Sequence, residues 1–315
     1  MSGPTKTFTG AIVWAAFVGL KVRSLEQEPW THALLLFAAL VLVPLALDLL
    51  VERNEARGAV RWFAWVRGAQ LPAAVLLALA CGLTPGIPAA ALALPWFGVT
   101  LLLAAIGVVR VVRHGWARPI GRLSGDVALL FLAVGGAWAL LDRAGLRPLG
   151  FDAAVVALTA VHFHYAGFLL PLTAGLVQRR MAASRFAARA VVGVVLSVPA
   201  VAMGIVATQL GWGPSLEAAA GSALALSGMA VAILTVRVAL DAAASPGTRA
   251  LLGLSGAALF LGMLLAAAYA TRAFAMVFPG LGIPSMRMLH GTINAVGFGL
   301  AGLVGWRRLE RESAS

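Results

Sequence analysis

Charged side chains are scarce in this chain of 315 residues. Asp, Glu, Lys and Arg make up 11% of it, while 61% of the residues are hydrophobic. An ordinary soluble domain carries roughly 25% charged residues, and the mean hydropathy here is +0.93. The composition therefore excludes a soluble globular domain and indicates a polytopic integral membrane protein that lies in a lipid bilayer.

Cysteine is almost absent. Cys81 stands alone, which excludes an internal disulfide and a cysteine metal cage. The chain also lacks a glycine-rich nucleotide loop and an HExxH zinc motif. The sequence thus lacks the motifs that are usual for redox, phosphoryl-transfer and zinc-protease chemistry, and we predict no cofactor.

Long apolar runs fill most of the chain. Runs of about 18 residues or more predict membrane-crossing helices, and they indicate an all-α bundle that forms a single integral membrane domain over residues 1–315. A short run at 8–20 is a possible tenth span. The nine predicted spans are 31–51, 68–84, 88–109, 124–142, 152–176, 187–208, 215–236, 250–272 and 285–306.

The net charge of +12 comes from arginines between the spans. Basic stretches at 53–67, 110–122, 179–189 and 307–311 alternate with connections that have few basic residues. By the positive-inside rule the basic stretches face the cytoplasm, which predicts a multi-pass protein of the plasma membrane with a cytoplasmic C-terminus. The same rule explains the charge without a nucleic-acid partner.

Asp48 and Asp126 lie about one turn inside their spans and should each need an arginine or water.

Two of the five histidines, His162 and His164, stand with Tyr165 in the middle of the 152–176 run. At a helical rise of roughly 1.5 Å per residue they lie about 15 and 18 Å from its outer end. In the last span His290 and Asn294 lie about 8 and 14 Å deep, four residues apart on one helix face. Ionisable groups at such depth are costly and call for a partner, a cofactor or a reaction.

If these two helices are neighbours, they predict a polar cavity in the outer half of the bundle. His162 and His164 are separated by about 200° around a helix, so we assign His162 and Tyr165 to the cavity. His164 is then a hydrogen-bond partner of the site or a ligand, on a face where Pro171 would distort the helix. Several residues at the outer ends of helices could line the mouth of this predicted cavity: Glu217, Tyr269, Arg272, Asp152, Arg287 and His32.

Small residues form stripes along the last span, for example Gly297, Ala301 and Gly305. Such stripes allow close helix contact. They serve packing within one chain and between two copies equally well, so a homodimer is left open.

Residues 162–168 (HFHYAGF), followed by a basic turn, and residues 290–299 (HGTINAVGFG), before Gly305 and Trp306, resemble the YndJ-like family of bacterial membrane proteins. The resemblance covers 152–180 and 285–306. It implies that these two helices act together, but it supplies no reaction.

Histidine chemistry favours an intramembrane enzyme. A histidine is a general acid or base near neutral pH, and Tyr165 or Asn294 can donate to a developing oxyanion. Proton transfer on a lipid, isoprenoid or polyketide would serve isomerisation, epoxide opening, cyclisation or hydration. The predicted catalytic residues are His162, His290, Tyr165, Asn294, His164 and Glu217.

Two other functions stay open. His164 and His290 could ligate a haem or a metal from two helices. The histidines could instead relay protons in a coupled transporter or sensor, although the chain lacks the internal repeat of many transporters.

Overall fold

A computed structural model describes residues 3–51, 57–115, 119–241, 243–275 and 278–313. Parts of two predicted cytoplasmic stretches, 53–56 and 116–118, lie outside the described residues. Regular structure in the described part is helical throughout, without a strand, which confirms the all-α fold class.

Ten helices follow one another in the described ranges. Nine of them, all except the first, are long and apolar enough to cross a membrane, which agrees with the predicted number of nine or ten spans. Whether the first helix, which covers the short run at 8–20, also spans stays a prediction. The helices are α1 (Gly3–Lys21), α2 (Glu28–Leu50), α3 (Arg57–Gly82), α4 (Ile87–His114), α5 (Ile120–Ala144), α6 (Ala153–Arg180), α7 (Arg185–Gln209), α8 (Ser215–Asp241), α9 (Pro246–Ala270) and α10 (Ile283–Glu312).

Several helices extend beyond the apolar runs that predicted them. The helix α3 begins at Arg57 instead of 68, and α6 continues to Arg180. Long basic side chains can continue a helix past the hydrocarbon layer because their apolar stems stay in it while their charges reach water. Hydropathy alone therefore underestimates the length of these helices.

Two helices contain a π-helical segment just before a proline. In α2 the segment Ala38–Leu42 precedes Pro44, and in α6 the segment Tyr165–Leu169 precedes Pro171. A proline lacks an N–H and clashes with the carbonyl four residues earlier, and a wider turn relieves the clash. The distortion predicted near Pro171 takes this form. In α10, residues Arg287–Gly291 and Ile293–Leu300 are also π-helical.

The chain forms two compact units. Unit 1 comprises Met1–Arg118 and Gly125–Leu169. Its central helix is α2, which contacts α1, α3 and the first half of α6. Within the apolar window of α2, 83% of the residues are buried, against 33–56% in the other eight spans. Most of the apolar part of α2 is thus surrounded by protein.

Unit 2 comprises Pro119–Ser124 and Leu170–Ser315. Here α7 packs on α8, α8 on α9 and α9 on α10. A Cβ atom on Gly297 would lie 2.5 Å from Cβ of Ala258, and one on Gly305 would lie 3.0 Å from the side chain of Leu252. The close helix contact predicted for the stripe of Gly297 and Gly305 is therefore present against α9. The prediction of one domain over the whole chain stays a prediction.

Asp48 and Asp126, for which the sequence predicts an arginine or water, each have an arginine partner. Arg67 donates from Nη2 to Oδ1 of Asp48 at 3.0 Å. Arg110 donates from Nη1 to Oδ1 of Asp126 at 3.4 Å, and these side chains are 5% and 1% exposed. The second contact is a buried ion pair inside unit 1.

Candidate functional site

His164 lies in the core of unit 1 with both ring nitrogens engaged. The indole N–H of Trp96 donates to its Nε2 at 3.2 Å, and its Nδ1 lies 2.8 Å from the carbonyl oxygen of Ala160. Nε2 must accept from the indole, so Nδ1 carries the proton and the ring is neutral. A Cβ atom on Gly135 would lie 2.7 Å from Nδ1, so the glycine makes room for the ring.

The two neighbours of His164 that the sequence singled out have different surroundings. Tyr165 is buried and donates its hydroxyl to the carbonyl oxygen of Leu34 at 3.0 Å, which joins α6 to α2. His162 is exposed, and its Nδ1 lies 2.8 Å from the carbonyl oxygen of Leu158 on its own helix. His162 and His164 thus face different surroundings, as their separation around the helix predicts.

In unit 2, His290 and Asn294 are in direct contact. Nδ2 of Asn294 donates to the carbonyl oxygen of His290 at 2.8 Å and lies 3.3 Å from its Nδ1. That Nδ1 lies 2.8 Å from the carbonyl oxygen of Gly262 on α9. If Nδ1 donates to Gly262, the lone pair of the ring is on Nε2. The predicted common face of these two residues is confirmed.

Glu217 belongs to a second polar group of unit 2. Nη2 of Arg272 donates to Oε1 of Glu217 at 3.0 Å, and the guanidinium lies 3.9 Å from the ring centroid of Tyr269. Three of the residues predicted at outer helix ends therefore converge where α8 begins and α9 ends.

The six predicted catalytic residues divide between the units. Unit 1 contains His162, His164 and Tyr165, and unit 2 contains His290, Asn294 and Glu217. A single site built from both sets stays a prediction. Among the residues that the structure describes, no three His, Cys, Asp or Glu side chains converge as a metal site would require.

A cluster that the sequence reasoning missed joins the start of α2 to the end of α5. Nε2 of His32 lies 3.1 Å from Oδ2 of Asp142, 110 residues away, and 3.0 Å from Nη2 of Arg143. The sequence predicted that His32 lines the mouth of a cavity, and it placed Arg143 in a connection that has few basic residues. One signal could have identified the cluster: Asp142 and Arg143 are adjacent at the end of one span, at the same depth as His32 on another.

Arg143 holds this cluster rigidly. Its Nε donates to Oδ2 of Asp142 at 2.7 Å, and its Nη1 donates to the carbonyl oxygens of Ala80 and Leu83 at 3.4 and 3.3 Å. Its own carbonyl oxygen accepts from the N–H of Gly86 at 2.8 Å. The turn between α3 and α4 is thus tied to the end of α5. Asp142 and Arg143 are 8% and 3% exposed.

His32 has one engaged and one available ring nitrogen. Its Nε2 either donates to Asp142 or accepts from Arg143, because a single ring nitrogen cannot do both. Its Nδ1 takes part in no hydrogen bond with the described residues, and the side chain is 15% exposed. An imidazole oriented by a carboxylate at one nitrogen and open at the other is suited to acid/base chemistry.

A cavity of about 130 Å³ opens beside His32 inside unit 1. The start of α6 supplies apolar residues to its wall, including Ala153 and Val156, and Pro85 comes from the turn between α3 and α4. The polar residues of the wall are Glu28, Thr31, His32, Asp142, Arg143 and Arg147.

Comparison with known proteins agrees with the resemblance. A family model described as YndJ-like protein matches residues 33–298. An uncharacterized membrane protein YndJ of Bacillus subtilis (strain 168) is 30% identical over 219 residues, which cover 68% of this chain. The chain spans about two fifths of that relative, since the match covers 38% of its length. No solved structure matches the chain.

Proposed function

This chain belongs to the YndJ-like protein family, and we propose that it is an intramembrane enzyme that applies histidine acid/base chemistry to a hydrophobic substrate. The observation that carries the proposal is the 3.1 Å contact between His32 and Asp142 in the wall of a cavity. The available Nδ1 is the atom that exchanges a proton with the substrate.

Asp142 suits both forms of His32 that acid/base chemistry needs. In the neutral ring Nε2 carries the proton and donates to Asp142, so Nδ1 is a base. Once Nδ1 has taken a proton the ring is an imidazolium, which Asp142 stabilises, and Nδ1–H is the acid that returns the proton. Isomerisation, epoxide opening, cyclisation and hydration of a lipid, isoprenoid or polyketide each need one proton taken and one returned.

The residues predicted from sequence have separate roles in the proposal. His290 and Asn294 are a second proton-handling pair, supported by the contact of His290 with Gly262. His164 and Tyr165 act as positioning residues, because their polar side-chain atoms are engaged by Trp96 and Leu34. The assignment of His162 and Glu217 as catalytic residues stays a prediction.

We place the protein in the plasma membrane with its C-terminus in the cytoplasm. Support comes from the basic residues at connected helix ends: Arg179 and Arg180 end α6, Arg185 begins α7, and Arg307 lies near the end of α10. With each span crossing once, α2 then begins and α5 ends on the outer side. The substrate thus reaches His32 from the outer leaflet.

The test compares the lipids of bacterial membranes that contain the wild-type chain, His32→Gln or a control, His114→Gln at the end of α4. Untargeted mass spectrometry should find a product species with the wild type and the control that is reduced at least about tenfold, a barrier change of 1.36 kcal/mol, with His32→Gln. All three proteins must be present in equal amounts with equal melting temperatures (Tm). An unchanged product level with folded His32→Gln would overturn the proposal.

A further inference from the structure

The cavity beside His32 contains polar atoms that none of the described residues satisfies. Thr31 is 2% exposed, and its hydroxyl oxygen has no hydrogen-bond partner in the described part of the chain. Asp142 uses only Oδ2 for its contacts with His32 and Arg143, so Oδ1 accepts no hydrogen bond from the described residues. A buried hydroxyl without a partner is unfavourable unless something else satisfies it. The cavity wall therefore contains hydrogen-bond acceptors that a bound donor could satisfy.

The charges of the wall favour a cationic donor. Glu28, on the first turn of α2, has no ion pair within the described residues. Arg143 does not balance it, because its guanidinium is engaged by Asp142, His32 and two carbonyl oxygens. Arg147 also lines the cavity, and its side chain is exposed. Glu28 is exposed whereas Asp142 and Thr31 are buried, so acceptors at the mouth and inside the cavity lie next to the exposed cation of Arg147 and complement a zwitterion.

We propose that this cavity binds the primary ammonium group of a zwitterionic amphiphile, with Glu28, Asp142 and Thr31 as acceptors and Arg147 facing the anionic group. Three acceptors match the three N–H donors of a primary ammonium. A quaternary ammonium has no N–H donor and would leave these acceptors unsatisfied. The apolar residues at the start of α6 lie beside the carbon chain.

This inference deepens the proposed function, on which it rests, by naming the class of substrate. For the proton transfer one N–H of the ammonium group exchanges its contact with Thr31 for one with Nδ1 of His32. That N–H bond breaks, an N–H bond forms at Nδ1, and the neutral amine keeps the electron pair. Asp142 stabilises the imidazolium that results. Binding itself needs no turnover and is measured separately.

The first experiment measures the Tm of the purified full chain in detergent against ethylammonium chloride, with tetramethylammonium chloride at equal concentration as the control. Ethylammonium should raise Tm saturably, because a ligand that binds only the folded state stabilises it. Tetramethylammonium should not. Equal effects of the two salts, or no effect of either, would overturn the inference.

The second experiment repeats the titration with Glu28→Gln and Thr31→Val. Each should raise the midpoint concentration of ethylammonium about tenfold, the effect of losing about 1.4 kcal/mol of binding. Thr31→Val loses no hydrogen bond of the described chain, so its Tm without ligand should not fall. The matched control is Thr235→Val, where a buried hydroxyl donates to Val231 at 2.8 Å, and its midpoint should equal that of the wild type. Unchanged midpoints in both cavity variants would refute the assignment.

A third experiment identifies the source of the ammonium group. Nanodiscs with an ethanolamine phospholipid are compared with choline phospholipid nanodiscs and with soluble phosphoethanolamine added to the latter. A Tm rise only with the ethanolamine lipid assigns a membrane substrate, as proposed, whereas a rise only with the soluble compound shows that the ligand is not an amphiphile.

The outcomes separate the two proposals. If ethylammonium binds but His32→Gln still forms the product, the binding site stands and the proposed function is wrong. If ethylammonium does not bind but His32→Gln loses the product, only the inferred binding site is wrong.

Discussion

The indole N–H of Trp96 donates to Nε2 of His164 at 3.2 Å, between two side chains that are both completely buried. The rings are also stacked, with centroids 5.9 Å apart and planes at 18°. This contact sets the tautomer of His164 and joins α4 to α6. Inside unit 1 the histidine is thus a fully paired group.

Trp96→Phe should destabilise the protein by about 1–3 kcal/mol, because it leaves Nε2 of a buried histidine without a donor. The measurement is the shift of Tm in detergent. Trp212→Phe is the control, since Trp212 is 77% exposed and should shift Tm very little. Equal shifts in the two variants would contradict a buried Trp96–His164 bond.

Gly135→Ala should cost about 1–3 kcal/mol, the usual effect of overpacking. The new Cβ atom would lie 2.7 Å from Nδ1 and 3.1 Å from Cβ of Phe163, neither of which can move freely. Gly98→Ala on α4 is the opposite case, because nothing lies within 4 Å of the added atom. Alanine there should stabilise the helix by about 0.5–1 kcal/mol. Chemical denaturation of both variants checks the difference in sign.

The two aspartate–arginine pairs should differ in energy. Asp126→Asn removes the carboxylate beside Arg110, whose side chain is 5% exposed, and should cost about 3–5 kcal/mol. Asp48→Asn affects a pair in which Asp48 is 39% exposed and should cost about 0–1 kcal/mol. Expression level and Tm report both effects, and a larger loss at Asp48 would be inconsistent with the burial of Asp126.

Tyr165→Phe distinguishes a positioning residue from a catalytic one. Removal of the hydroxyl loses the bond to Leu34 and should cost about 0.5–1.5 kcal/mol, with little change in product per folded molecule. Tyr269→Phe keeps the ring over which Arg272 lies and should leave Tm nearly unchanged. Loss of product from a fully folded Tyr165→Phe protein would instead assign a catalytic hydroxyl.

Much of the fold follows from the sequence because the bilayer limits what a chain can do. Runs of sufficient apolar length must be helical, since every backbone polar group needs a partner in lipid. The same reasoning predicts that Asp48 and Asp126 each need an arginine or water, and Arg67 and Arg110 are the partners present. The contact of His290 with Asn294 also follows, because four residues make one helical turn.

The remaining features were decided only by the tertiary structure. Periodicity reports the faces of one helix but not which helix lies against each face. His32 and Asp142 are 110 residues apart, and Trp96 and His164 are 68 apart. No local pattern joins such pairs. Trp96 and His164 meet where Gly135 leaves room for the imidazole ring, and His32 meets Asp142 because α2 is buried at the centre of unit 1. The sequence by itself determined the spans, and packing determined which polar groups share a cavity, since the hydrophobic effect places apolar runs in the bilayer without selecting their neighbours.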